Sequence, residues 1–293
     1  MKWGSMIPGC AALCLLAACE RAEDKREPQT PQEMYEYVHM LLKPNVEHDA
    51  SDFEQAMLWL HKAAEGGLLQ AQTDLGGIYL EGGKNGVQAD GKQAFYWFSK
   101  AAAQGSKAAL YYQGLILHRG MHMPKDEAKA CELWQQAAEA GVGEAQYMLG
   151  LTLAQQAATV QQGVGWLMRA VQAPAPKLAA QAACALGNIY AAGKQGIARD
   201  MAEAARWYEM AARGGDAAAQ LVYAILLLQG DTVAKDEAKG MSYLRLAAGQ
   251  DNPQAIALLV NMLRNMPNAD KHEEEAQAWA ERLEKLRKKA PAN

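Results

Sequence analysis

The chain contains few phenylalanines and few cysteines. Three Phe and five Cys occur in 293 residues, although half of the residues are hydrophobic and alanine supplies much of that half. Alanine favours helices, whereas the strands of a β-sandwich are rich in β-branched and aromatic residues. The composition therefore favours closely packed helices over a β-sandwich.

No charge of one sign dominates. The chain has 29 Lys and Arg against 33 Asp and Glu, a formal net charge of −4, and the two signs are interspersed. A protein that binds nucleic acid usually presents a clustered basic face. Nucleic acid is therefore not expected as a partner.

The N-terminus lacks a hydrophobic run long enough to cross a membrane comfortably. Residues 6–18 carry no charge and follow Lys2. A run of this length suits the core of a signal peptide better than a membrane-spanning helix. It ends in Leu16-Ala17-Ala18-Cys19.

This ending resembles the lipobox of bacterial lipoproteins. The resemblance implies that residues 1–18 are cleaved as a signal peptide and that Cys19 carries the lipid, including palmitate. Glu20 after this cysteine favours the outer membrane, facing the periplasm. The alternative is an ordinary secretory signal in which Cys19 occurs by chance. Residues 19–32 are charged and contain prolines, so they are predicted to be a tether.

Two cysteines remain after the signal peptide and the lipidated residue. Cys131 and Cys184 fall in separate repeats. A disulfide framework is therefore not expected, and each is interpreted as a small buried hydrophobic residue rather than as half of a bridge.

The main feature of the sequence is a repeated pair of small residues. The pair begins at six positions: Ala63, Ala101, Ala137, Ala170, Ala211 and Ala247. Four residues earlier stands a large side chain: Trp59, Trp97, Leu133, Trp166, Trp207 and Tyr243. Eleven residues earlier stands a short oxygen-bearing side chain, which suits a helix N-cap: Asp52, Asp90, Asp126, Thr159, Asp200 and Asp236.

These columns are spaced as one face of a helix, and a second helix follows each. We number positions from the predicted cap, so that the large side chain is at position seven and is predicted to fill the core. Glycines after most of these helices, such as Gly105 and Gly120, are predicted to end them. Small residues inside the second helices, such as Gly76 and Gly114, are predicted to allow close approach of neighbouring helices.

The combined pattern, clearest in "DMAEAARWYEMAARGGDAAAQ" at 200–220, resembles the Sel-one-like repeat, a relative of the tetratricopeptide repeat. The resemblance implies an all-α solenoid of stacked helix-turn-helix repeats that form a right-handed superhelix. Six repeats are predicted over 52–265, an N-terminal capping helix region over 33–51 and a C-terminal capping helix over 266–293. The third and fourth repeats depart from the pattern, the fourth with Pro174 and Pro176 between its helices.

Two local motifs are interpreted as structural, and a third, catalytic motif is missing. Residues 86–93 have the glycine and lysine spacing of a phosphate-binding loop, but Asp90 is already assigned as a helix cap and no strand precedes it. His118 and His122 have a metal-compatible spacing, but Gly120 separates them and no third ligand is indicated, so they are interpreted as a solvated loop pair. No serine is followed three residues later by lysine, as serine β-lactamase chemistry requires.

No catalytic residue, metal or cofactor is therefore predicted. The resemblance implies a non-enzymatic scaffold that binds protein partners in the cell envelope, anchored to the membrane through Cys19. Position six faces away from the predicted core, and Leu58, Tyr96 and Arg206 at this position are the candidate partner-binding residues. The alternatives are a β-lactamase-like envelope hydrolase and direct binding of peptidoglycan or exopolysaccharide, a cell-wall polymer.

Overall fold

The computed structural model describes residues 27–43, 48–82, 86–193, 196–266, 270 and 272–289. The predicted signal peptide and Cys19 lie outside these residues. The chain divides into two compact units, residues 1–136 and residues 137–293.

The fold is all-α, as predicted. Over the described residues the structure has fourteen helices and no β-strand. In chain order the helices are α1 (Pro31–Leu41), α2 (Ala50–Glu65), α3 (Leu69–Glu81), α4 (Gly91–Ala103), α5 (Lys107–Arg119), α6 (Glu127–Glu139), α7 (Gly143–Leu153), α8 (Val160–Ala170), α9 (Pro176–Ala192), α10 (Met201–Arg213), α11 (Ala217–Gln229), α12 (Glu237–Gly249), α13 (Pro253–Arg264) and α14 (Glu273–Lys289). Within the described ranges, none of them is long and apolar enough to cross a bilayer.

Aspartates cap most of the first helices, as predicted. The Asp90 carboxylate accepts from the backbone N–H groups of Lys92 and Gln93 at 2.8 and 3.2 Å. Asp200 and Asp236 cap α10 and α12 in the same way. These side chains satisfy N–H groups that have no partner within the helix.

The predicted cap of α2 is wrong, and the predicted cap of α8 is at its N-cap position but lacks the side-chain bond. Helix α2 begins one turn earlier, because Asp49 caps it and forms a reciprocal capping box with Asp52, which lies inside the helix. Thr159 precedes α8, but its hydroxyl donates to the carbonyl of Leu153 at 2.7 Å instead of accepting from α8. The hydroxyl therefore ties α8 back to the end of α7.

Glycines end the helices where the sequence places them. Gly105 follows α4 with φ +93°, and Gly120 ends α5 in a left-handed conformation with φ +66°. Residues with a Cβ rarely adopt this region, so these positions require glycine.

The prediction that position seven fills the core is confirmed for Trp97 and Leu133, and it holds only in part for the other four repeats. Trp97 and Leu133 are buried, but the other members of that column are only half-buried. The buried column is the next residue, at position eight. Its members are at most 4% exposed: Leu60, Phe98, Trp134, Leu167, Tyr208 and Leu244.

Small residues in the second helices receive these buried side chains. In the first unit, a Cβ built on Gly76 would lie 2.7 Å from the Phe98 ring. In the second unit, a Cβ on Gly187 would lie 2.7 Å from the Tyr208 ring. Both distances are too short for a real contact, so each glycine lets the ring of the following hairpin pack against its helix backbone.

A further helix covers each end of the repeat array. Helix α1 packs on α2 with Val38 buried, and it begins at Pro31, two residues inside the predicted tether. Helix α14 buries Ala276 and Leu283 against α12 and α13, with Trp279 half-buried beside them. Ion pairs reinforce this contact, since Arg245 on α12 meets Glu275 at 2.8 Å.

The helices that depart from the repeat pattern, α7 and α9, lie in the second unit. Helix α7 ends at Leu153 without a terminating glycine, and α9 begins with Pro176 in its first turn, where proline is tolerated. The handedness of the superhelix stays a prediction.

Candidate partner-binding surface

Position six is exposed in all six first helices. The residues are Leu58, Tyr96, Glu132, Gly165, Arg206 and Ser242. Leu58 is 53% exposed and Tyr96 is 49% exposed, which is high for large apolar side chains. The first helices therefore place two of the three candidate residues in solvent within the first unit.

Aromatic contacts join the first helices of this unit side by side. The ring centroids of Tyr37 on α1 and Trp59 on α2 are 5.7 Å apart. His61 on α2 and Trp97 on α4 are also 5.7 Å apart, and Trp97 meets Tyr96 at 5.0 Å. Helix α2 therefore contacts α1 through Trp59 and α4 through His61.

Two lysines that the sequence analysis did not select complete this surface. Lys62 lies four residues after Leu58, and its Nζ is 4.0 Å from the centroid of the Trp59 ring. Lys100 lies four residues after Tyr96, and its Nζ is 5.2 Å from the Tyr96 ring centroid. Side chains four apart share one helix face, and this spacing was the available signal.

We name this surface of the first unit the lysine–aromatic face. It comprises Leu58, Trp59, Lys62, Tyr96 and Lys100. The Nζ atom of each lysine lies over the neighbouring ring, while both lysines remain exposed. The face thus combines apolar anchors with positive charge.

The layer beneath this face is buried and uncharged. His61 is half-buried, and its Nε2 lies 3.0 Å from the Tyr79 hydroxyl. Burial lowers the pKa of the His61 imidazole, and Glu65 opposes that shift, so His61 is neutral near pH 7. Trp97 is 3% exposed, and its indole N–H has no hydrogen-bond partner among the described residues.

Arg206 lies in the second unit, on α10. Its side chain is 80% exposed and pairs with Glu203 at 3.2 Å. An exposed pair of this kind contributes little to stability, and it reduces the net charge that Arg206 presents. Arg206 therefore differs from Leu58 and Tyr96 in its unit and in having a charged partner.

His118 and His122 have different partners. His118 Nδ1 lies 2.8 Å from a Glu127 carboxylate oxygen, whereas His122 Nδ1 accepts from the backbone N–H of Gly91 at 3.1 Å. The interpretation as a solvated pair was wrong for His118, which is half-buried. In the ranges that the structure covers, no three His, Cys, Asp or Glu side chains are grouped as a metal site requires.

Neither Cys131 nor Cys184 forms a disulfide. Cys184 is buried as predicted, and burial with nearby Asp216 raises the pKa of its thiol to about 12, so it is not a thiolate near neutral pH. Cys131 is only half-buried, contrary to the prediction, and burial also raises the pKa of its thiol.

The repeat pattern of this chain matches that of a known family. The Sel1 repeat model matches residues 46–68, 69–106, 107–142, 180–216 and 217–252. Residues 143–179, where the helix ends depart from the pattern, fall between two matches. Sel1 repeat proteins generally mediate protein–protein interactions as scaffolds.

Two fungal proteins share part of the sequence. Chitin synthase regulator SKT5 of Saccharomyces cerevisiae is 30% identical over 78% of this chain and 34% of its own length. Chitin synthase regulatory factor 3 of Schizosaccharomyces pombe is 30% identical over 32% of this chain and 10% of its own. The chain thus spans about a third or less of these relatives, both of which are named as regulators.

Solved structures show the same helical fold. A protective antigen present in uropathogenic Escherichia coli strains, displaying an SLR fold, matches with a TM-score of 0.72 and 26% identity over 87% of this chain and 54% of that one. A Sel1 repeat protein from Oxalobacter formigenes matches with a TM-score of 0.71 and 24% identity over 86% of this chain and 99% of that one. The helical hairpins, their conserved spacing within this chain and repeat matches over more than half of its length together show that the protein belongs to the Sel1 repeat family.

Proposed function

We propose that this protein is a non-catalytic scaffold, anchored by a lipid on Cys19 in the bacterial cell envelope, that binds protein partners through its first helices. The observation that carries the binding role is the exposure of Leu58 and Tyr96 at a position where other repeats have Glu, Gly, Arg or Ser. Exposed apolar side chains beside aromatic rings are typical of the centres of protein interfaces. The family and its regulator-named relatives support a binding role over a hydrolase.

The binding role predicts a defined loss in a double variant. Leu58→Ser with Tyr96→Ser is expected to remove partner proteins that are crosslinked in the native cell. Helicity and melting temperature should stay nearly unchanged, because both side chains are exposed. Crosslinking followed by mass spectrometry, with circular dichroism of the purified variant, measures both effects.

The matched control is Met40→Ser with Leu69→Ser. These side chains are 51% and 38% exposed in the same unit but lie outside the lysine–aromatic face. The control should keep the partners. Partners retained by the Leu58 and Tyr96 variant would refute binding at this face, and Arg206→Ser then tests the second unit separately. Crosslinks to peptidoglycan instead of protein would favour direct binding of a cell-wall polymer.

The lipid anchor is proposed from the lipobox and is tested independently. Cys19→Ser is expected to leave the protein without lipid, because the thioether needs the Cys19 thiol. Each buried acyl methylene contributes about 0.8 kcal/mol, so losing the chains should move the protein from the membrane to the soluble fraction. Detergent partitioning and metabolic labelling with palmitate measure the change.

Cys14→Ser is the matched control, since it removes a cysteine from the same segment but leaves the lipobox intact. This control should still take up label and partition with detergent. If Cys19→Ser keeps its label and its membrane fraction, the lipoprotein assignment is wrong.

A further inference from the structure

The lysines of the lysine–aromatic face have no carboxylate partners. Among the described residues, neither Lys62 nor Lys100 forms an ion pair, and both are exposed. Glu65 follows Lys62 by three residues, but the structure has no ion pair between them. Both cations therefore carry uncompensated charge at the surface.

Several cations on other first helices do have such partners. In the first unit, Lys129 on α6 meets Glu132 at 2.8 Å. In the second unit, Arg206 and Arg213 on α10 meet Glu203 and Glu209 at 3.2 and 2.7 Å. Arg169 on α8 also has no ion pair among the described residues, but Gly165 precedes it at position six. The combination of an exposed apolar side chain and an unpaired cation one turn later is thus specific to α2 and α4 among the first helices.

The position of these lysines relates them to the apolar anchors. Each lysine lies one helical turn beyond Leu58 or Tyr96, so each of the two helices presents an apolar side chain followed by a cation. The chain as a whole has a net charge of −4. Two exposed cations beside apolar side chains favour a negatively charged ligand that also carries an apolar group.

We infer that the lysine–aromatic face binds an acidic peptide segment of a partner protein, in which an apolar side chain is flanked by Asp or Glu. The apolar side chain packs between Leu58 and Tyr96, and the carboxylates pair with Lys62 and Lys100. This inference rests on the proposed scaffold function and specifies the chemistry of its ligand. An acidic polysaccharide lacks the apolar side chain that the Leu58–Tyr96 surface would bury.

The experiment uses the full chain in its native cell. A photoreactive phenylalanine replaces Leu58, and mass spectrometry identifies the crosslinked segment. That segment is expected to carry a net negative charge within a few residues of an apolar side chain. A synthetic peptide of the segment is then titrated onto purified protein, first as found and then with Asp and Glu changed to Asn and Gln.

Two lysine variants separate a local contact from a general charge effect. Lys100→Glu and Lys107→Glu change the net charge equally, and both lysines are exposed in the first unit, but Lys107 lies on α5 outside the face. Lys100→Glu is expected to weaken peptide binding about tenfold, more at low salt than at high salt, whereas Lys107→Glu should change it little. Lys100→Gln should fall between them, and circular dichroism confirms that each variant is folded.

The outcomes distinguish failure of the acidic-peptide inference from failure of the proposed scaffold function. An acidic segment whose binding depends on Lys100 supports the inference. A basic or neutral segment, or equal binding by the Lys100 and Lys107 variants, overturns the inference and leaves the scaffold function standing. A crosslink to a glycan alone, or no crosslink from position 58, overturns protein binding at this face and with it the inference.

Discussion

Trp134→Ala is expected to lower the free energy of unfolding by about 3–5 kcal/mol. The Trp134 side chain is fully buried, and its indole N–H donates to the backbone carbonyl of Tyr111 at 3.1 Å. The ring also lies against Gly114, where a Cβ would be 2.5 Å from the indole nitrogen. Truncation therefore leaves a ring-sized cavity at the contact between α5 and α6, and chemical denaturation followed by circular dichroism measures the loss.

Two control variants test whether the loss of stability comes from the burial of Trp134, because removing a less buried tryptophan should cost less. Trp134→Phe keeps most of the ring but loses the hydrogen bond to Tyr111, so a loss of about 1–2 kcal/mol is expected. Trp166→Ala removes a half-buried ring that stacks with Arg169 at 4.5 Å, and a loss near 1–2 kcal/mol is expected. If Trp134→Ala costs less than about 1 kcal/mol, the position-eight column does not form the core.

The repeat and its helix ends could be predicted from the sequence. Paired alanines, capping aspartates and terminating glycines recur together, and each follows from a local requirement of the backbone. Asp90 and Gly105 confirm this directly. The exception at α2 also has a local cause, because Asp49 and Asp52 are three residues apart and cap each other reciprocally. Alignment to the other repeats favoured Asp52 and concealed the earlier start.

The side chain that fills the core could not be predicted from the spacing alone. Positions seven and eight are about 100° apart on the helical wheel and lie on opposite sides of the small residue at position four. Which of them is buried depends on the angle at which the preceding hairpin packs, and this is a property of the tertiary structure. Trp59 is consequently half-buried, while Leu60 next to it is 2% exposed.

The candidate surface was predicted in part. Position six identified Leu58 and Tyr96, which are exposed, but exposed lysines are too common for the sequence to single out Lys62 and Lys100. Their significance depends on what lies beside them: an aromatic ring in each case and no carboxylate partner in the described part of the chain. Sequence spacing gives neighbours within one helix, whereas the absence of a partner depends on the neighbouring helices.

Gly76→Leu and Gly77→Leu are expected to change stability in opposite directions, although the two glycines are adjacent in α3. A Cβ on Gly76 would lie 2.7 Å from Phe98, so leucine there overpacks the contact between α3 and α4 and should cost about 1–3 kcal/mol. A Cβ on Gly77 meets no atom within 4 Å, and leucine there should add up to about 1 kcal/mol through helix propensity. The difference in denaturation midpoint between the two variants measures the effect with the same substitution in the same helix.

A double-mutant cycle with Phe98→Ala tests whether the ring is the cause. Phe98 is 1% exposed, so its truncation alone should cost about 3–5 kcal/mol. The cavity that it leaves borders Gly76, and Gly76→Leu in that background should occupy part of the space. Leucine at position 76 is therefore expected to stabilise the Phe98→Ala protein although it destabilises the parent, a coupling larger than that between distant sites. Additive losses from the two changes would mean that Gly76 and Phe98 do not share one packing contact.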